Sequence, residues 1–382
     1  MKFKDFSKVL EFLGLTEREF EQRLEKNDIV KVNYDGFKYY RFREAFRKVE
    51  KGTVIVLDPL TIVRGYPKIP RAFVISSAFK KRLSGEKVFA EEKMDGYNVR
   101  TVMLKGKLYS FTRRGLYCPY TTLRIRHQLE SDGSIAFFEE NPELMLCGEV
   151  VGLQNPYQEK SYPEAREFGY FVFDIRNMVD NSPVSYDEKL RLVEKYGLKH
   201  VNFFGEVSSG EEVLKLVRKL GEDGREGVVL KSFDGMKMLK YTANQSTNND
   251  LKYAFTFFED YGLAFMYSRV LREAFQAYEL GLEGKELEKE AKELGKSILI
   301  PMVETIKRIA EGEEVTEDFE LLVPSEEFGF KFVENLKNLG VIVTVKEKKK
   351  TSKGVKFKLS RHYPKTNDKT KAILEGACAD EW

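Results

Sequence analysis

Apolar positions in the first fifty residues recur at helical spacing in MKFKDFSKVLEFLG and again over Glu17–Glu25, predicting two short amphipathic helices. The segment IVKVNYDGFKYYRF then alternates on both sides of Asp35-Gly36, the signature of a β-hairpin closed by a tight turn. From Val54 to about Tyr241, short apolar or alternating runs sit between Gly, Pro and Asp turns. Thr53–Leu57, Asn98–Leu104, Leu108–Thr112, Leu144–Val151 and Gly169–Ile175 read as strands, with helices near Ile125–Glu130, Tyr186–Tyr196 and Glu211–Leu220. Strands and helices mixed without strict βαβ alternation predict an α+β fold built on antiparallel sheets.

The pattern changes near Asp250. Val270, Leu271, Ala274, Phe275 and Tyr278 share one helical face, Gly281–Gly284 breaks that helix, and a Lys/Glu-rich helix follows. Ile298, Leu299, Met302, Val303 and Ile306 keep helical spacing through Pro301. Burial in a bundle of the chain's own helices and pairing with a second subunit both satisfy these faces. The tail predicts a helix over Ser325–Leu339, then strands Val341–Val345 and Gly354–Leu359 joined by the basic turn KEKKKTSK. The implied domains are an N-terminal α+β domain (1–60), a strand-rich domain (61–247), a helical domain (248–315) and a C-terminal α+β domain (316–382).

Composition narrows the setting. A chain of 382 residues with 42% hydrophobic and 13% aromatic residues supports several folded cores and excludes wholesale disorder. Lys and Arg number 64 against 61 Asp and Glu, so a net charge of +3 excludes a polycation that binds any phosphate backbone; positive charge for a nucleic acid must be local. Cys118, Cys147 and Cys378 lie far apart, as do His127, His200 and His362, so neither a disulfide framework nor a zinc cluster is expected. These features, with no signal-peptide pattern and no membrane-spanning stretch, fit a cytoplasmic protein.

The chemistry begins at Glu91-Glu-Lys-Met-Asp-Gly-Tyr-Asn-Val-Arg100, where a lysine two residues before Asp-Gly follows the strand-like run Lys87-Val-Phe-Ala. By itself K-x-D-G is also what a surface turn looks like. It is followed in order by Phe111-Thr-Arg-Arg-Gly115, Leu146-Cys-Gly-Glu-Val150, Phe171-Val-Phe-Asp-Ile175, Glu226-Gly-Val-Val-Leu-Lys231 and Lys237-Met-Leu-Lys-Tyr241. Over residues 60–245 this series resembles motifs I, Ia, III, IIIa, IV and V of the covalent nucleotidyltransferases, the superfamily of DNA ligases, RNA ligases and capping enzymes. The resemblance implies an antiparallel-sheet nucleotidyltransferase core, ATP-grasp-like, behind a small N-terminal α/β segment and ahead of C-terminal helical and α+β domains.

It also implies roles. Lys93 matches the nucleophile that takes AMP from ATP, an amine that must be deprotonated by burial or nearby cations before it attacks. Lys240 and Lys237 match motif V and would supply that field and hold the α-phosphate; the family spacing Lys-x-Lys is here Lys-x-x-Lys, with Lys240 the assignment preferred. Glu149 matches the acceptor for the ribose hydroxyls, and Phe173 the aromatic that stacks on the base, although core packing serves an alternating strand equally well. Glu226 matches the motif IV acid; Glu149 and Glu226 are the implied carboxylates for Mg²⁺ (or Mn²⁺). Arg113 and Arg114 compete for the motif Ia arginine, a forked grip on phosphate or terminal ribose. Asn98 matches an asparagine that orients the phosphate to be joined, Glu91 lies where relatives contact the nucleoside, and Lys231 is a further phosphate contact.

Two other patterns carry nothing. Gly295-Lys-Ser297 lacks the upstream glycine of a phosphate loop, and the Asp-Gly pairs lack the spaced oxygens of a calcium loop. Helices follow motif V where DNA ligases and capping enzymes place a small β-barrel; together with the extra N-terminal segment and the motif I form Lys93-Met-Asp-Gly-Tyr-Asn-Val-Arg100, this resembles the archaeal ATP-dependent RNA ligases, which are homodimers. That likeness implies adenylylation of an RNA 5′-phosphate and joining to a 3′-OH, including circularisation of single-stranded RNA. The segment Lys346–Arg361 carries eight Lys/Arg and one Glu, suited to an RNA backbone or to a solvated edge. A DNA-joining ligase, another nucleotidyltransferase using the same lysine, and a non-catalytic RNA-binding protein are the competing readings.

Overall fold

A computed structural model of the chain describes residues 3–157 and 160–378. They form two units. The first comprises Met1–Pro70, Gly85–Glu206 and Leu230–Leu239, the second Arg71–Ser84, Val207–Val229 and Lys240–Trp382.

The first unit opens with α1 (Phe6–Phe12) and α2 (Glu17–Glu25). Thr16 starts α2 with a reciprocal capping box to Glu19, which satisfies amide donors that a helix start leaves open. Strands β1 (Ile29–Tyr34), β2 (Phe37–Phe42), β3 (Val54–Leu57) and β4 (Leu60–Val63) make an antiparallel meander. The predicted turn joins β1 to β2, with Asp35 at φ +48° and Gly36 at φ +83°, the left-handed pair that suits the strand twist. After α3 (Ile75–Arg82), which belongs to the second unit, come β5 (Val88–Lys93), β6 (Tyr97–Leu104) and β7 (Lys107–Thr112).

Helices α4 (Pro119–Ser131) and α5 (Ala136–Glu140) lead to β8 (Leu144–Val151) and β9 (Gly169–Asn177). The order β7-β6-β8-β9 gives a second antiparallel sheet. One face shares a core with the meander through Val102, Phe111 and Met145, while Ile125, Phe137, Leu192 and Val193 pack in a separate core with Val99, Leu146 and Val172. Fully buried Arg100 joins the two sheets by donating to the carbonyls of Arg64, Gly52 and Thr112. Helix α6 (Tyr186–Lys195) precedes β10 (Phe203–Val207); after α7 (Gly210–Glu222) come β11 (Gly227–Ser232) and β12 (Met238–Thr242). A further sheet has the order β10-β5-β11-β12, and the division between units falls inside β11 and β12.

The second unit continues with α8 (Asn244–Thr256), α9 (Leu263–Glu279) and α10 (Gly284–Ala310), the last with Pro301 inside it. Leu251, Ala254 and Met266 form a core between the first two of these helices. Then come β13 (Thr316–Val323), α11 (Glu326–Asn338), β14 (Val343–Thr351), β15 (Gly354–His362) and α12 (Pro364–Leu374), with sheet order β13-β15-β14.

One expectation is corrected here: Lys346–Thr351 is not a turn but the outer half of β14. Lys348, Lys349 and Lys350 face Phe357, Lys356 and Val355 of β15, and the chain reverses only at Thr351–Gly354. Ladder hydrogen bonds decide the backbone, and lysines are at home on an edge strand that must not pair further. Strand β13 and helix α12 lie outside the expected tail elements. Yet Phe319, Leu321 and Val323 alternate with Asp318 and Glu320, a strand signal present in the sequence.

Candidate active site

Lys93 is the last residue of β5 and is half-buried. The next residues, Met94-Asp-Gly96, turn the chain into β6. Gly96 is required there because a Cβ would come within 2.2 Å of the Val150 carbonyl oxygen. The Asp95 amide donates to the Tyr162 hydroxyl at 2.7 Å, and Lys160 lies 3.6 Å from its carboxylate. Three strands then align the next candidates: Asn98 on β6 faces Glu149 on β8, and Glu149 faces Phe171 on β9. Arg113 and Arg114 are both exposed just beyond β7. The Arg113 amide donates to the Asn98 carbonyl at 3.1 Å, and Arg41 donates to the Arg114 carbonyl at 3.2 Å.

Phe173 owes its setting to a β-bulge. Cys147 pairs with Asp174 while Gly148 pairs with Val172, so Phe173 is the extra residue and its carbonyl has no ladder partner. Gly148 permits the close approach, since a Cβ would lie 2.4 Å from the Tyr170 ring. The freed carbonyl accepts from Lys231 Nζ at 2.5 Å and from Lys189 Nζ at 3.4 Å. Lys189 also pairs with one Glu91 oxygen, and Lys231 lies 2.9 Å from the other and 3.9 Å from Asp174. Arg176 and the Tyr66 hydroxyl each donate to Asp174 at 3.0 Å. The Phe173 ring is half-buried, with the Tyr66 ring set edge-on at 5.1 Å.

Every charged member of this network is at most 5% exposed in its side chain. Burial pushes the Asp174 carboxyl up, but Lys231, Arg176 and Lys189 outweigh it and hold the group below its ordinary value. Burial pushes Lys231 down, yet Asp174 and Glu91 prevail and raise it. For Lys189 burial wins over Glu91, and its ammonium is lowered. Glu91 and Lys231, expected to touch nucleotide and phosphate, thus spend charge on each other and on the backbone of Phe173. Lys189, Arg176 and Asp174 were not among the candidates. Lys189 had a signal, a lysine on the apolar face of α6 beside Tyr186, Leu192 and Val193.

Lys237 stands apart from this network: it sits in the β11–β12 turn, half-exposed, paired with Glu86 at 2.5 Å. The remaining two candidates belong to the second unit. The Glu226 carbonyl accepts from the Ala243 amide, and the Lys240 carbonyl from the Ala72 amide, both at 2.9 Å. Gly227 after Glu226 has φ +148°, and a Cβ there would meet the Tyr241 carbonyl oxygen at 2.3 Å. The first unit therefore assembles Lys93, Asn98, Glu149, the Arg113 backbone, Phe173, Glu91 and Lys231, while Glu226 and Lys240 are set by β11, β12 and the strand pairing of Arg71.

Residues 86–254 match the RNA ligase family, and residues 253–377 match the family described as Ligase Pab1020 C-terminal region. Two solved forms of an archaeal ATP-dependent RNA ligase superpose with a TM-score of 0.92 at 34% and 35% identity, over 99% of this chain and 100% of theirs. The chain belongs to the archaeal ATP-dependent RNA ligase family. It is a ligase, and the family inferred from motif order extends over its whole length. The uncharacterized protein MJ0414 of Methanocaldococcus jannaschii is 39% identical, covering 97% of this chain and 96% of its own. A chain from Aquifex aeolicus provisionally described as an ATP-dependent DNA ligase has a TM-score of 0.87 at 27% identity, over 96% of this chain. The α+β class and antiparallel sheets agree with these folds. No helix among the described residues is long and apolar enough to cross a membrane.

Proposed function

We propose that this ligase joins RNA ends through a lysyl-AMP formed on Lys93. The observation that carries the reading is local: Lys93 ends β5, and the Asp-Gly turn after it leads directly into β6, whose Asn98 pairs with Glu149 on the separate sheet where Phe173 bulges. In the first step the deprotonated Lys93 Nζ attacks the α-phosphorus of ATP. An N–P bond forms and the P–O bond to pyrophosphate breaks. An oxygen of the RNA 5′-phosphate then displaces the lysine, and finally the RNA 3′-OH attacks that 5′-phosphorus and AMP leaves. Phe173 would stack on the base, Glu149 would accept from the ribose, and Arg113 or Arg114 would grip the RNA end. Motif order assigns Lys240, with Lys237, to the α-phosphate and Glu226 to the motif IV role.

Among the described residues no group of three or more His, Cys, Asp or Glu is arranged to hold a metal. Glu149 and Glu226, each taken within its own unit, offer the hard oxygen that Mg²⁺ or Mn²⁺ accepts, with water and phosphate oxygens filling the rest of a shell. Such an ion would neutralise developing phosphate charge. A homodimer fits the exposed apolar side chains of α9 and α10, with Leu263 81%, Tyr278 78% and Leu299 64% exposed.

The test is incubation of pure protein with α-labelled ATP and a divalent cation. Label that survives denaturation and disappears in Lys93→Ala is expected; no protein-bound label under any condition overturns the mechanism. Offered 5′-phosphorylated strands, the adenylylated protein should join or circularise single-stranded RNA. Preference for a nicked DNA duplex would instead favour the DNA-joining reading that the Aquifex aeolicus chain represents.

A further inference from the structure

Helix α9 carries two arginines that share one acid. Arg269 Nε lies 3.0 Å from Asp250 Oδ2, and Arg272 reaches the same oxygen only at 3.9 Å. Arg269 is otherwise well occupied: its guanidinium stacks on the Phe265 ring at 3.3 Å and donates to Ser268 Oγ at 3.2 Å. Arg272 is not. Its side chain is 13% exposed, and its buried Nε–H has no acceptor. A guanidinium offers five donors, and leaving one dry and unbonded costs free energy that an oxyanion would recover.

The surroundings are positive. Burial, then Arg71 and Arg269, push the Arg272 guanidinium down to about 10 against the pull of Asp250 and Glu226, so it stays charged at neutral pH. Arg71 adds its charge from the segment paired with Lys240, and donates to Thr242 Oγ1 at 2.7 Å. The next residue, Glu273, does not compensate, because burial pushes its carboxyl up to about 8. Three arginines therefore face two carboxylates, Asp250 and Glu226, in a half-buried setting where charge is poorly screened.

We propose that Arg272, supported by Arg269, is a binding site for a phosphate group. A fork of parallel N–H donors matches two phosphate oxygens, and Arg272 has donors to give. Both arginines lie beyond the RNA ligase match, which ends at residue 254, in the C-terminal region of the family. That the phosphate belongs to a substrate rests on the function proposed above; the anion site itself does not.

The experiment measures binding of a short 5′-phosphorylated single-stranded RNA and of inorganic pyrophosphate, each across a salt series, to the wild type, Arg272→Met and Arg272→Lys. Arg272→Met should weaken at least one probe about tenfold, the loss of one charge-assisted hydrogen-bond pair. If that probe is RNA, its salt slope should fall by about 1. Arg272→Lys keeps the charge but not the fork and should recover only part of the affinity. Loss confined to RNA assigns the site to a strand phosphate, and loss confined to pyrophosphate assigns it to the nucleotide. Unchanged affinity for both probes in both variants overturns the site. Should Arg272→Met fail to fold, Arg272→Lys alone decides, since wild-type affinity for both probes would again refute the proposal. These are binding measurements, so they stand even if Lys93 takes no label.

Discussion

The charge network around Phe173 and the arginine group around Asp250 each set three cations against two carboxylates, yet their cations are bonded differently. In the first unit Lys189, Lys231 and Arg176 meet Glu91, Asp174 and the bulged carbonyl of Phe173, so every cation has a close oxygen. In the second unit Arg269 and Arg272 divide a single carboxylate oxygen and one guanidinium is left with a dry, unbonded donor. Burial alone therefore does not mark a functional charge. A network whose cations each lie close to an oxygen holds its own backbone in place, here the segment carrying Phe173, whereas a guanidinium whose carboxylate lies 3.9 Å away has capacity for a ligand.

The sharpest way to break this contrast is to remove one cation from each group. Lys231→Met leaves Glu91 and Asp174 short of a partner and should cost about 3–5 kcal/mol in urea unfolding. Arg272→Met, whose ion pair is long and whose acid keeps Arg269, should cost no more than about 1 kcal/mol. Equal losses would erase the distinction. Next in size is the bulge: Gly148→Ala drives a Cβ toward the Tyr170 ring and should destabilise by about 1–3 kcal/mol. A neutral result would show that the bulge can shift without cost.

Glu273 sharpens the comparison through pH. Its carboxyl is raised from 4.5 to about 8 by burial, so the folded chain keeps a proton that the unfolded chain releases. Stability should fall as pH rises through that window, by up to about 1.4 kcal/mol per unit. Glu273→Gln should remove that slope in thermal melts at a series of pH values. The smallest effect is expected at Lys237, whose pair with Glu86 is half-exposed: Lys237→Ala should change stability by less than about 1 kcal/mol. Any larger loss would join Lys237 to the buried network.

Much of the fold was readable along the chain where periodicity and turn chemistry agree. Apolar spacing over Glu17–Glu25 announces α2, Asp35-Gly36 announces the first hairpin, and the helices after Asp250 follow their apolar stripe, Pro301 included. The basic segment of β14 was misread because its side chains carry no alternation; its partner strand, distant in no sequence window, supplies the hydrogen bonds. Among the site residues, the ordered motifs placed Lys93 at a strand end before a glycine turn. They did not reveal that Lys231 and Glu91 are consumed by Lys189, Asp174 and a bulged carbonyl, because that depends on which strands become neighbours.

The sequence by itself determined the family, the order of the motifs and most local elements, since these follow from residue type and spacing. Only the tertiary structure decided which charges are spent and which are available. Phe173 becomes a bulge through its register with β8, and Arg272 is short of partners because Asp250 is already taken by Arg269. Ion pairing is a property of three-dimensional neighbourhoods, and a net of +3 over the chain conceals both a tightly paired group and a loosely paired one.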